Sequence, residues 1–259
     1  MNNILNEIVT RNRAALEAKK QDVPFDEIAA LVAEAPERAS FADAFRGPGI
    51  HVIAELKKAS PSKGMIREDL NVPVLAESLK DAGAAALSVL TEPFFFKGGL
   101  NNLRLAAETV SIPLLRKDFI FDPYQILEAK ANGASAVLLI AAMLNADEFK
   151  RLLDFAHQYG LAVLGEAHME SELEIASAAD LVGVNARDLK TFSTSLERSA
   201  ELIAKLKSCG KPVIAESAVR TQEDILMLQN AGASGFLIGE TLMRAADPGA
   251  KLKELLQCS

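Results

Sequence analysis

Short apolar runs recur along this chain about every 20 to 35 residues, and most stop on a polar or charged residue. In order they read HVIAELKK from His51, ALSVLTE from Ala86, PLLRKD from Pro113, AVLLIA from Ala136, AVLGE from Ala162, LVGVN from Leu181, PVIAES from Pro212 and GFLIGE from Gly235. Each is rich in Val, Ile and Leu and too short for a buried helix. A near-continuous apolar run bounded by turn residues is the pattern of a parallel strand covered on both faces. Eight such runs separated by helix-length segments predict an α/β fold, a closed (β/α)8 TIM barrel. Barrels of this kind do their chemistry at the carboxyl ends of the strands, which here carry Glu, Lys and Asn.

The 259 residues suit one domain, and residues 1–46 ahead of the first run read as an N-terminal helical extension. Ile4, Leu5, Ile8, Asn12 and Ala15 share one helical face, and Asp22 before Pro24 reads as the cap of a second helix. The extension is expected either to plug one end of the barrel or to cover its mouth. Between runs, VLAESLKDAGAAA, ILEAKANGASAV and EDILMLQNAGASGF each drive an amphipathic helix into an Ala-Gly or Asn-Gly stop, an internal repeat of the helix-to-strand connection. A net charge of −7 and a pI of 5.2 argue against nucleic-acid and acidic-membrane partners. Cys209 and Cys258 form no disulfide framework and have no metal spacing. The charged start is not a signal peptide, and no stretch approaches the roughly 18 apolar residues of a membrane span. The chain reads as a cytoplasmic monomer.

Side chains alternate along a strand, so the pleat says which residues share a face. Ile53, Glu55 and Lys57 do so in the first run, Leu115 and Lys117 in the third, Leu164 and Glu166 in the fifth, Ile214 and Glu216 in the seventh. A layer of inward side chains in such a barrel comes from alternate strands. Glu55 or Lys57, Lys117, Glu166 and Glu216 are therefore expected in the top layers of one interior. Buried charges cost several kcal/mol each unless paired, so an ionic layer there points to general acid–base chemistry.

The loops after the last two runs, AESAVRT and IGETLMR, occupy the usual phosphate position of this fold. Gly239 lets backbone N–H groups approach an anion, and Ser217 adds a hydroxyl. Across the mouth, KKASPSKG supplies Lys57, Ser60 and Ser62 in a loop long enough to move. Phe94, Phe95 and Phe96 cannot all enter the core, so at least one is expected at the mouth, where it would wall an aromatic ring. His51, His157 and His168 have no companion at metal-ligand spacing and read as structural or solvated.

The runs IAELKKASPSKG, LSVLTEPFFFKGG, LLRKDFIFDPYQI, AVLLIAAML, GEAH, VGVNARDL, IAESAV and FLIGETLM together resemble the indole-3-glycerol-phosphate synthase family in order and on every strand. The resemblance implies ring closure of 1-(2-carboxyphenylamino)-1-deoxyribulose 5-phosphate with loss of CO2 and water, with no metal or organic cofactor. It implies Lys117 as the acid at the developing alkoxide, Lys57 at the substrate's anionic groups, Glu166 as the base of dehydration and Glu55 holding the lysines. Asn185 and Glu216 match residues that hold substrate hydroxyls, and Arg187 fits a supporting ion pair. Phe96 and Phe119 would wall the anthranilate ring, and Ser60, Ser217, Gly239 and Glu240 would seat the phosphate. Two positions depart from the common pattern: Ala218 stands where Gly is usual, and Glu240 where many relatives have Ser. A Schiff-base aldolase with Lys117 as nucleophile, a phosphoribosyl-anthranilate isomerase and a non-catalytic flavin- or phosphate-binding barrel are the rival readings.

Overall fold

A computed structural model describes residues 4–33, 35, 37–188 and 192–257. Cys258 lies outside them. Eight parallel strands close a barrel in sequential order: β1 Val52–Leu56, β2 Ala86–Leu90, β3 Leu114–Lys117, β4 Ala136–Ile140, β5 Ala162–Ala167, β6 Leu181–Asn185, β7 Val213–Glu216 and β8 Gly235–Ile238. The eight apolar runs are these eight strands, and β1 pairs with both β2 and β8. Ahead of the barrel stand α1 (Ile4–Asp22) and α2 (Phe25–Ala33). The crossover helices are α3 (Val72–Asp81), α4 (Leu100–Thr109), α5 (Pro123–Ala131), α6 (Ala146–Gln158), α7 (Leu173–Ala176), α8 (Leu196–Lys205) and α9 (Gln222–Ala231), and α10 (Glu240–Arg244) and α11 (Pro248–Leu256) follow β8.

Local chemistry explains the helix boundaries. Capping boxes start α5 (Asp122 with Gln125), α6 (Asn145 with Glu148) and α9 (Thr221 with Asp224), each satisfying backbone donors that the first turn leaves open. The repeated stop after α3, α5 and α9 is a left-handed glycine, with φ of 99° at Gly83, 81° at Gly133 and 120° at Gly232. Asp22, expected to cap the second helix, instead closes α1, and Pro24 stands just ahead of α2.

Two separate cores result. One lies between the strands and the crossover helices. The other fills the barrel, where Ile53, Leu115, Leu164 and Ile214 from the odd-numbered strands meet Ala86, Leu138, Leu181 and Leu237 from the even ones. The N-terminal extension meets both expectations with different parts. Phe41 and Phe45 join this interior from the side where the strands begin, Phe45 lying against Gly235, while Leu5 and Ile8 of α1 join it from the mouth. The buried stripe of α1 runs Leu5, Ile8, Asn12 and Leu16, with Ala15 only half-buried. Lys20 binds Asp122 at 2.8 Å, Lys19 binds Glu128 at 3.1 Å, and the Arg13 guanidinium lies 4.4 Å from the Phe121 ring centre, so α1 is fastened to the start of α5.

Candidate active site

One residue pair above the apolar layer of the odd strands, the pleat places Glu55, Lys117, Glu166 and Glu216 on the same inward side. Lys117 Nζ lies 2.5 Å from Glu166 Oε2 and 2.9 Å from Glu216 Oε2. Beside them Lys57 Nζ donates to Glu55 Oε1 at 2.5 Å. All three carboxylates are buried. The layer that most barrels fill with Val and Ile is therefore ionic.

Its electrostatics are set by one ammonium among three carboxylates. Burial lowers the Lys117 pKa, but Glu166, Glu216 and Glu55 outweigh it, and the ammonium is held well above its ordinary value. Burial pushes Glu166 up, and Lys117, aided by His168, more than reverses this, leaving Glu166 well below the usual carboxyl range. Glu216 goes the other way. Burial and the neighbouring Glu166 charge prevail over the pull of Lys117 and raise it to about 8. Near neutrality the site thus holds a protonated lysine, an ionised Glu166 and a Glu216 able to carry a proton.

Two glycines make the layer possible by lacking a side chain. A Cβ on Gly183, which pairs with Glu166 across the β5–β6 ladder, would stand 2.2 Å from Glu216 Oε1. A Cβ on Gly239 would stand 2.2 Å from Glu55 Oε1. The structure adds this steric reason for Gly239 to its expected place beside an anion.

The layer floors a cavity of about 650 Å³ at the carboxyl ends of the strands. Its lining includes each of Glu55, Lys57, Ser60, Phe96, Lys117, Phe119, Glu166, Asn185, Arg187, Glu216, Ser217, Gly239 and Glu240. Phe96 and Phe119 stand with ring centres 6.0 Å apart. Of the three consecutive phenylalanines, Phe94 is exposed, Phe95 lies under Arg11 of α1 at 5.4 Å, and Phe96 faces the cavity. The loop expected to be long enough to move is a small antiparallel hairpin, Ala59–Ser60 with Gly64–Met65. Its Ser62 Oγ accepts from Arg187 at 3.2 Å. Asn185 Oδ1 accepts the Arg187 N–H at 3.0 Å, and Arg187 Nη2 lies 3.9 Å from Glu240 Oε2. Burial raises the Glu240 pKa, but a hydrogen bond from Arg244 at 3.0 Å and the charges of Lys63 and Lys57 bring it below its ordinary value. Among the described residues no group of three or more His, Cys, Asp or Glu side chains is arranged to hold a metal ion.

Nearly the whole chain matches known proteins. The family model described as indole-3-glycerol phosphate synthase matches residues 5–255. The chain belongs to the indole-3-glycerol phosphate synthase family. Synthases of Neisseria meningitidis serogroup C and Carboxydothermus hydrogenoformans are 45% and 42% identical, covering 98% and 97% of this chain and 100% and 99% of their own length. The synthase of Koribacter versatilis is 52% identical over 80% of both chains. Solved structures of a 3-hexulose-6-phosphate synthase (TM-score 0.65, 16% identity, 80% of this chain and 98% of that one) and of a Pyrococcus furiosus tryptophan synthase α-subunit (TM-score 0.62, 17% identity, 80% and 97%) share the barrel fold.

Within this synthase chain, several residues around the site escaped the sequence reading. His168, read as structural or solvated, is buried with its Nε2 3.2 Å from Glu166 Oε1. Following the pleat one step past Leu164 and Glu166 would have found it. Arg116 points away from the interior and is buried against Asp118 (2.9 Å), Glu128 (3.1 Å) and the Gln125 carbonyl (2.6 Å), which fixes the strand end that carries Lys117. Glu92 accepts the N–H groups of Phe94, Phe95 and Phe96 at 3.1, 2.7 and 2.9 Å and so shapes the loop that presents Phe96. Ile4, Leu5 and Ile8 bring an apolar edge of α1 to the cavity. Ser217 and Ala218 both hold left-handed backbones, with φ of 67° and 64°, a conformation that costs a residue other than glycine about 1 kcal/mol.

Proposed function

We propose that this chain closes 1-(2-carboxyphenylamino)-1-deoxyribulose 5-phosphate to indole-3-glycerol phosphate, releasing CO2 and water, a step of tryptophan biosynthesis. The observation that carries the assignment of roles is the Lys117 ammonium bracketed by Glu166 and Glu216 on the floor of a cavity walled by Phe96 and Phe119.

The anthranilate ring lies between the two phenylalanines, where an aromatic face buries apolar area and stacks. The phosphate lies at the rim, on Ser60, Ser217 and the backbone of Gly239 and Glu240, with Arg187 behind them. Glu240 turns its carboxylate onto Arg244 and Arg187 and leaves its N–H for the ligand. The ring carbon that bears the carboxylate attacks the ketone carbon, and Lys117 gives its proton to the oxygen as it becomes a hydroxyl. Loss of CO2 returns the bonding pair to the ring. Lys57 then protonates the departing hydroxyl while Glu166 takes the proton from the carbon beside nitrogen, completing the indole. Asn185 and Glu216 hold the substrate hydroxyls, and Glu55 keeps Lys57 in place. We propose that the enzyme acts as a monomer. No helix among the described residues is long and apolar enough to cross a membrane. Membership of the synthase family supports the cytoplasmic location that we propose.

The same pairing speaks against the Schiff-base alternative. A lysine nucleophile needs a neutral amine, and its buried carboxyl neighbours, Glu166 above all, keep Lys117 charged. The test is turnover of the carboxyphenylamino deoxyribulose phosphate by purified protein, followed by indole fluorescence, beside Lys117→Ala. Turnover that vanishes in the variant supports the reading. No turnover with phosphate-ligand binding intact would favour the binding-barrel alternative.

A further inference from the structure

Behind Glu166, on the side away from Lys117, stands a buried histidine that the reaction scheme does not use. His168 follows the last residue of β5 and is absent from the cavity lining, so it is placed to touch the base and not the substrate. Its Nε2 lies 3.2 Å from Glu166 Oε1 and its Nδ1 lies 3.7 Å from Glu172 Oε2, within ion-pair reach of both and in line with neither. Glu172 is itself fixed, because the same oxygen accepts the backbone N–H of His168 at 2.6 Å and of Met169 at 3.3 Å.

The contacts form a row across the barrel in which Glu172, His168, Glu166 and Lys117 alternate in sign and Glu216, the group able to carry a proton, stands at the end, with successive gaps of 3.7, 3.2, 2.5 and 2.9 Å. Glu166 sits at its centre with one oxygen on each nitrogen base. Without His168 the buried Oε1 would face no positive charge, and the carboxylate would be free to rotate or to take a proton.

We propose that His168 is a positioning residue for ring closure and dehydration: backed by Glu172, it holds the Glu166 carboxylate in the place and charge state in which that group serves as base. The inference rests on the functional reading above for the role of Glu166, and on the row alone for the contact. Burial lowers the His168 pKa, but Glu166 and Glu172 together raise it to about 9, so the ring is a cation at neutral pH. The charged or titratable groups facing this pair are Lys117 from β3, Glu216 from β7, Glu172 from the turn after β5, and Glu55 from β1 acting through Lys117.

The sign of the effect follows. His168 lowers the Glu166 pKa, so removing it raises that pKa, and the acid limb of the kcat–pH profile moves to higher pH. The experiment compares the parent protein with His168→Ala and His168→Gln on the carboxyphenylamino deoxyribulose phosphate, from about pH 3 to about pH 9, so that the low acid limb of the parent falls inside the range. In His168→Ala we expect kcat to fall about ten- to hundred-fold, the worth of one interaction with a charged group, with KM within about twofold. His168→Gln restores a donor without charge, so it recovers part of kcat and keeps the displaced limb. Should His168→Ala fail to fold, the limb of His168→Gln decides. Acid limbs that coincide in parent and variants would overturn the proposal, as would a rise in KM at unchanged kcat. A second measurement needs no substrate. Imidazole resonances of the three histidines, titrated in the parent and in Glu166→Gln, should show one ring losing its elevated pKa in the variant. A ring pKa that does not move would refute the row. Absence of turnover by the parent would refute the functional reading instead, and the titration would then judge the row alone.

Discussion

Lys117→Met isolates the electrostatics of the ionic layer. The substitution keeps the length and apolar stem of the side chain and removes the single ammonium that lies 2.5 Å from Glu166 and 2.9 Å from Glu216. Two buried carboxylates then face each other, with Glu55 nearby and only Lys57 and His168 as counter-charges. Breaking a buried pair by deleting one partner costs about 3–5 kcal/mol when the other cannot escape its charge. Here it can escape, by binding a proton. In the parent, Glu166 is held below its unfolded pKa, so its contribution to stability is present above the ordinary carboxyl range and is lost as pH falls through the folded value. In the variant Glu166 shifts upward and joins Glu216, which is already raised to about 8 in the parent, so the folded state binds more protons than the unfolded one above pH ~4.5 and loses stability more steeply than the parent as pH rises. At pH ~8 we therefore expect roughly the full 3–5 kcal/mol, seen as a fall in Tm on the order of 10 °C, and at pH ~5 most of that gap closes. The assay is thermal unfolding at both pH values beside steady-state turnover, which loses about 10²-fold or more with its acid gone. A loss of stability equal at the two pH values would refute the reasoning, because it would mean lost packing and not an uncompensated charge.

Gly183→Ala should displace Glu216, since the new Cβ meets Oε1 at 2.2 Å; we expect a loss of about 1–3 kcal/mol and a fall in kcat, read from melting and turnover on the same preparation. Ala218→Gly relieves a left-handed backbone at φ 64° and should raise stability by up to about 1 kcal/mol in urea unfolding, the gain reduced by the greater freedom of glycine in the unfolded chain. Arg116→Ala leaves Asp118 buried without its counter-charge and Glu128 with Lys19 alone, and should cost about 3–5 kcal/mol, with Arg116→Lys only a partial rescue because one ammonium cannot replace the contacts of a fork; soluble yield and melting temperature report it.

Much of the site was legible because the information is local. Strand alternation has a period of two residues, so Glu55 or Lys57, Lys117, Glu166 and Glu216 are placed on inward faces from their neighbours alone, and the odd-strand rule then puts them in the top layers of one interior. Glycine stops and capping residues likewise act within one turn of chain, as at Gly133 or between Asp122 and Gln125. Asp22 was misread because the pattern of a cap before proline also fits the end of the preceding helix, and the packing of α1 against α5 decided between them.

Distances across the barrel are another matter. The residues that meet at Lys117 are 49 and 99 positions away along the chain. Nothing in the spacing says that Lys117 takes Glu166 and Glu216 while Glu55 takes Lys57; closure of β1 onto β8 and the missing side chains of Gly183 and Gly239 decide it. The sign of each pKa shift follows from the same source, because it is the balance of burial against a neighbour's charge, and both depend on three-dimensional distance. The amino-acid order thus determined which side chains face inward, through rules that span a few residues. Only the tertiary structure decided which of them touch, that α1 lies at the mouth while Phe41 and Phe45 fill the opposite end, and which carboxylate keeps its proton.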